Sequence, residues 1–298
     1  MEDYSKIKSL ENSSVLSEKE SLENSSALLK KNILENSSAL LEKDSLENSA
    51  VLSEKESLKS EQKSNFEEYD FSNEDIYEES PINEKVVLLE RKNGFRMGTD
   101  SVLLSKFVNI LRNEKGVDLG TGSGVIPLLL LSENKGKHIH GIEIQKSLYS
   151  LAVHNAKRNG FENSFTPING DIRHIKNLYP MESADFVTLN PPYFKKGSGK
   201  ESEVGEKLIA RHEMNGIIDD FCHAASYCLK FGGKFFAVFR ADRLIELICA
   251  MKNNNIEPKH IEFIYKKGNA ETVLIQGTKG AKSGLIVTGK ESALVRSK

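Results

Sequence analysis

From Val117 onward, short apolar runs alternate with longer stretches in which apolar residues recur every three to four positions. The short runs predict strands over residues 116–119, 138–142, 165–168, 185–189 and 234–239, and the longer stretches predict helices over 125–131, 146–158, 217–229 and 242–253. Two further runs, 261–265 and 272–277, are separated by a short Lys-Gly-Asn stretch, which suggests an antiparallel hairpin at one edge of the sheet. A strand over 85–90 and a helix over 101–111 come first. Strands that alternate with helices make a mostly parallel sheet covered on both faces, an α/β architecture.

The first 80 residues follow a different pattern. A 12-residue unit built on Leu-Glu-Asn-Ser recurs at Leu10, Leu22, Leu34 and Leu46. At about 100° per helical residue, a 12-residue period turns the leucines by about 120° from one copy to the next, so they form no fixed seam. The dense Ser and Asn also compete for backbone hydrogen bonds. This segment, together with the acidic stretch 67–79, reads as a low-complexity arm and linker over 1–82, disordered or partly helical, ahead of a folded domain over 83–298.

Composition sharpens that division. All 21 glycines and all seven prolines lie beyond Ser80. Residues 1–80 hold 20 acidic and nine basic side chains, and the totals of 43 and 41 leave 23 acidic and 32 basic for the rest. The near-neutral chain is therefore an acidic arm joined to a basic domain, a balance that favours polyanionic partners without naming one. No apolar run reaches the roughly 18–20 residues of a membrane span. The N-terminus lacks the order of a secretory signal. Cys222, Cys228 and Cys249 have no metal-ligand spacing, so buried thiols, no metal and a cytoplasmic setting are expected.

Chemistry concentrates at the strand ends. The 116–119 strand runs into Asp118-Leu119-Gly120-Thr121-Gly122-Ser123-Gly124, where glycine permits a tight turn and close approach of a ligand to the backbone. The helix that follows offers unpaired N–H groups. Glu143, at the end of the second strand, is placed to accept from ribose hydroxyls. Loop and acid together point to an adenosine-containing cofactor. At the end of the fourth of these strands stands Asn190-Pro191-Pro192-Tyr193. The asparagine oxygen and the Pro191 carbonyl can both accept from one NH2 group, and Tyr193 offers a flat face to a planar partner. Such a site suits a planar-conjugated nitrogen, as in adenine or a carboxamide.

With these motifs in view, residues 85–298 resemble the class I methyltransferases, most of all the bacterial tRNA adenine-N6 methyltransferase family that modifies valine tRNA. The resemblance rests on Gly94-Phe95-Arg96-Met97-Gly98-Thr99-Asp100 with Leu103-Leu104, on the 118–124 loop, and on Gly141-Ile142-Glu143. It extends through Asn169-Gly170-Asp171, residues 190–193, Ala210-Arg211-His212-Glu213, Gly232-Gly233 and Lys279-Gly280. The repetitive arm and a shortened segment before Gly94 depart from the family's pattern.

The resemblance implies a Rossmann-like seven-stranded sheet, mostly parallel with an antiparallel C-terminal edge, and S-adenosyl-L-methionine as cofactor. Asp118, Gly120, Thr121, Gly122 and Gly124 would form the cofactor loop. Glu143 would hold the ribose, Asp171 would accept from the cofactor's adenine amino group, and Asn190 would border cofactor and target alike. Asn190, Pro191 and Tyr193 would present the target nitrogen. Arg96 would meet the cofactor carboxylate or a substrate phosphate, with Asp100 holding it, and Lys195, Lys196 and Lys200 would contact phosphates of tRNA. The expected protein is a monomer that methylates N6 of an adenine in the anticodon loop. Two alternatives stay open: N5-methylation of glutamine in release factors, and a catalytically silent RNA-binding protein on the same fold.

Overall fold

The structure is a computed structural model that describes residues 71, 73, 76–92, 98–191 and 218–291. The repeats of the arm lie outside the described residues. Two antiparallel strands come first, β1 (Tyr77–Pro81) and β2 (Val87–Arg91), followed by helix α1 (Thr99–Phe107). The chain then alternates through β3 (Lys115–Leu119), α2 (Val125–Ser132), β4 (His138–Glu143), α3 (Lys146–Arg158) and β5 (Phe165–Asn169). A 3-10 turn (Ile172–His174), the short α4 (Ile175–Leu178) and β6 (Ala184–Leu189) follow. The rest comprises α5 (Ile218–Cys228), β7 (Leu229–Arg240), α6 (Leu244–Asn253), β8 (Ile256–Lys266), β9 (Asn269–Lys279) and β10 (Ile286–Glu291).

Strands β3 to β10 form one sheet in the order β10-β8-β9-β7-β6-β3-β4-β5. Pairing is parallel from β7 through β6, β3 and β4 to β5, and antiparallel on both sides of β9. The sheet thus has the expected parallel centre and antiparallel C-terminal side, with eight strands rather than seven. The additional strand, β10, pairs parallel with β8 and takes the edge position expected for the hairpin. Its apolar signal is only Leu285-Ile286-Val287, set between Gly284 and Gly289, too short to stand out without a partner. Regular structure also starts earlier than expected, because β1 lies within the segment read as arm and linker.

The pleat explains why both faces carry helices. Along β7, Phe235, Ala237 and Phe239 join one buried cluster with Phe221 and Cys222 of α5 and Leu247 and Met251 of α6. The alternate residues Phe236 and Val238 join a second cluster with Leu104 of α1, Leu128 and Leu130 of α2 and Ala152 of α3. Helix α2 is buried along its whole length, which accounts for its unbroken apolar run. The β1–β2 pair is held to α3 by two asparagines one turn apart. Asn155 accepts from Leu89 N at 2.8 Å and Asn159 from Val87 N at 2.9 Å, and each side-chain amide donates back to the carbonyl of the same strand residue. These side chains satisfy backbone groups along an edge of β2.

The thiols divide. Cys222 and Cys228 are buried and desolvation pushes each up to about 12, whereas Cys249 is exposed, against the expectation of three buried thiols. Among the described residues, no helix is long and apolar enough to cross a membrane.

Candidate active site

Parallel pairing brings three strand ends to one border of the sheet. Leu119 is in register with Ile142 on one side and Leu189 on the other. The loop after β3, the acid ending β4 and the asparagine after β6 therefore emerge as neighbours, the arrangement that places ligands at the carboxyl ends of α/β strands. Gly120 N and Thr121 N donate to Ile142 O at 2.9 and 3.1 Å, stitching the start of the loop to β4. A small cleft of about 50 Å³ lies here and is lined by Ser101, Gly120, Thr121, Gly122, Ser123 and Asn190 with Val125, Ile126 and Leu148.

The three loop glycines differ in role. All have positive φ: +70° at Gly120, +58° at Gly122 and +88° at Gly124. A β-carbon at Gly122 would meet nothing within 4 Å, so this residue opens onto free space. At Gly124 it would lie 2.6 Å from the Phe165 ring, so that glycine serves packing and does not line the cleft. Gly141 is of the second kind, since its β-carbon would lie 2.7 Å from Thr121 Oγ1 and 2.8 Å from Phe165.

Glu143 is buried and holds the loop from below. Its Oε2 accepts from Gly122 N at 2.9 Å and its Oε1 from Gln145 N at 2.8 Å. Burial raises its pKa above the usual carboxylate range, and the backbone donors oppose that shift. Asn169 donates to Glu143 O and Ile144 O at 2.8 and 3.2 Å, which fixes the turn after β4.

Asp118 sits beneath the cleft and does not line it. Thr188 Oγ1 donates to its Oδ1 at 2.6 Å, tying β3 to β6 in the interior. Its Oδ2, like Thr121 Oγ1, has no hydrogen-bond partner among the described residues. Desolvation pushes the Asp118 carboxyl up to about 7, against the Thr188 bond and with the Glu143 charge adding to the rise. Asp171 caps the 3-10 turn by accepting from Arg173 N at 2.9 Å and pairs with the Arg173 guanidinium, which keeps its carboxyl below the ordinary range. It does not line the cleft.

Asn190 does line it, two residues beyond Thr188, and its Nδ2 donates to Ser101 Oγ at 3.0 Å. Pro191 follows and is buried. Pro192, Tyr193, Lys195, Lys196, Lys200 and Arg96 lie outside the described residues, as does the 210–213 segment. Of the residues expected at the site, the structure brings together Gly120, Thr121, Gly122 and Asn190 around one cleft, with Glu143 and Asp118 supporting them. Ser101 was not expected there. It lies within the segment between Asp100 and Leu103 that carries the resemblance, but nothing in its spacing marks it.

The residues fit an adenosine-type cofactor. A glycine faces open space at the loop, buried polar atoms lie beneath it, and Val125, Ile126 and Leu148 supply apolar wall. A mostly parallel sheet with this loop and an asparagine at the neighbouring strand end is an α/β fold with a ligand cleft at its strand ends. Residues 93–254 match the family described as the methyltransferase small domain, more than half of the chain. The chain belongs to that family, and S-adenosyl-L-methionine is its cofactor.

Two curated relatives carry the name tRNA1(Val) (adenine(37)-N6)-methyltransferase. The Aliivibrio salmonicida protein is 32% identical over 119 residues, covering 40% of this chain and 49% of its own length. The Pasteurella multocida protein is 28% identical over 188 residues, covering 60% of this chain and 74% of its own length. The chain thus spans about half to three quarters of these two relatives. Among solved structures, a predicted O-methyltransferase from Agrobacterium tumefaciens superposes with a TM-score of 0.52 at 19% identity, over 65% of this chain and 89% of that one. A Pyrococcus horikoshii protein described as a transferase gives 0.51 at 14% identity, over 70% and 73%. At such identities these two likenesses concern the fold.

Proposed function

We propose that this protein transfers a methyl group from S-adenosyl-L-methionine to the exocyclic N6 of an adenine in tRNA. The observation that carries the reading is the meeting of Asn190 and the Gly120–Gly122 backbone in one cleft. The names of the curated relatives supply the nucleic-acid class and the base.

When bound, the cofactor supplies an electrophilic methyl group on its sulfonium. The open backbone at Gly122 and the loop around it would cradle its amino-acid part, and Glu143 would face its ribose. Asn190 Oδ1 and the Pro191 carbonyl would accept from the two N–H bonds of the target amine. Two such acceptors favour a pyramidal nitrogen with an available lone pair, and they hold it in line, where reacting atoms about 3–3.5 Å apart gain most from positioning. They also favour the developing positive charge on nitrogen over the neutral amine, which stabilises the transition state. The N–H of a methylated aminium is acidic, so its proton can leave to water. Tyr193 would stack on the base, an interaction worth about 1–3 kcal/mol. Lys195, Lys196 and Lys200 would meet phosphates, and Arg96 a phosphate or the cofactor carboxylate. An unpaired loop is the least costly place from which to present an adenine.

The test is methyl transfer from labelled cofactor to unmodified tRNA, followed by nucleoside mass spectrometry. Label in N6-methyladenosine is the expected result. Label in a release-factor glutamine with none in RNA, or no transfer to either, would overturn the reading.

A further inference from the structure

Helix α1 presents Ser101, Leu104 and Ser105 as buried residues at the spacing of one helical face, and Val108, just past its end, is buried beside them. The two serines on this face satisfy themselves differently. Ser105 Oγ donates to Val102 O at 2.9 Å, within its own helix. Ser101, only 6% exposed, instead meets the side chain of Asn190, 89 residues away in the sequence, and both residues line the cleft. A buried hydroxyl is costly unless it is hydrogen-bonded, and alanine would suit this helix better. The hydroxyl therefore has a use at 101 that lies outside its own helix.

The carboxamide that Ser101 meets is nearly symmetric, and its action on an amine depends on its being held still. Its two ends have almost the same shape and opposite hydrogen-bonding character, an acceptor oxygen and a donor NH2. Turned one way, Asn190 offers an acceptor to an amine; turned the other way, it opposes the amine with N–H groups of its own. We infer that Ser101 is a positioning residue that holds the Asn190 carboxamide in place at the cleft, its hydroxyl accepting from the NH2 end. The inference rests on the proposed amine chemistry, and it identifies a second residue on which that chemistry depends. Leu104 and Val108, almost wholly buried, anchor the helix that carries Ser101, so the hydroxyl is presented from a packed element.

The experiment has two arms. In the first, side-chain amide signals of Asn190 in the 15N-labelled full-length protein are assigned by their loss in Asn190→Ala, and hydrogen exchange is compared between wild type and Ser101→Ala. Exchange faster by about tenfold in Ser101→Ala, restored by Ser101→Thr, is expected for loss of one hydrogen bond. Unchanged exchange would overturn the inference whatever the substrate.

In the second arm, Ser101→Ala should lower kcat about tenfold with KM for RNA within about twofold, and Ser101→Thr should recover most of it. In an Asn190→Ala background the same change should have no further effect, because the hydroxyl acts through that amide. Undiminished kcat in Ser101→Ala, or a loss that persists without Asn190, would overturn the positioning role. If wild type methylates no RNA while the first arm shows the amide held, the proposed function fails and the contact stands.

Discussion

The ends of β3 and β6 face the same cleft but are built on different principles. At β3 the working surface is backbone: glycines in the left-handed region, bonded to β4 and supported by Glu143. At β6 it is a side chain, Asn190, held by another side chain, Ser101. A backbone surface tolerates few substitutions, because any β-carbon alters geometry. A side-chain surface can be edited one group at a time, and its chemistry should separate from cofactor binding.

The largest expected effect tests that separation directly. Asn190→Ala should lower turnover by about 10²–10³-fold, the usual cost of removing one preorganised transition-state partner. Calorimetric affinity for the cofactor should stay within about threefold. A comparable loss of cofactor affinity would show that the two ends are one site rather than two.

Asp118 sits between the ends, so its titration reads the interior they share. Its carboxyl is raised from 3.8 to about 7 by burial. The folded state therefore holds a proton that the unfolded state has released between these values. Its contribution to stability is full below pH 4, falls as pH rises, and is gone above about 7. The accumulated difference is roughly 4 kcal/mol. Asp118→Asn lacks this ionisation, so in denaturant melts its stability relative to wild type should climb across that window and level off near pH 8. A difference that stays flat with pH would mean that Asp118 titrates normally.

Two substitutions in one loop sharpen the backbone argument. Gly124→Ala combines positive φ with a β-carbon driven into Phe165 and should cost about 3 kcal/mol in denaturant melts. Gly122→Ala faces open space and should cost only about 1–2 kcal/mol in stability, yet weaken cofactor binding by tenfold or more. Equal losses of stability would erase the distinction between packing and ligand-facing glycines. The smallest expected effect lies farthest from the cleft. Asn159→Ala removes one of the two clamps on β2 and should lower stability by about 1–2 kcal/mol. Turnover should be unchanged; a drop would make the β1–β2 pair part of the active site.

Much of this architecture is readable along the chain because the signals are local. Alternating apolar runs mark β3 to β6, the glycines mark the loop between β3 and α2, and Asn190-Pro191 follows directly on an apolar strand. Where patterns are short or distributed, reading fails. Three apolar residues do not announce β10, and Val108, buried and extended, ends α1 four residues before the predicted helix limit. The acidic sequence around Glu78 and Glu79 conceals β1, whose partner β2 is held by asparagines more than sixty residues away.

The sequence by itself determined the alternation of elements, the flexible glycine turn and the residue types able to handle an amino nitrogen, since each depends on neighbours a few positions apart. Only the tertiary structure decided which glycine faces the cleft, which supports a ring, and that a serine on α1 meets the asparagine after β6. Those assignments depend on contacts between distant segments, and no spacing along the chain encodes the direction in which a side chain finally points.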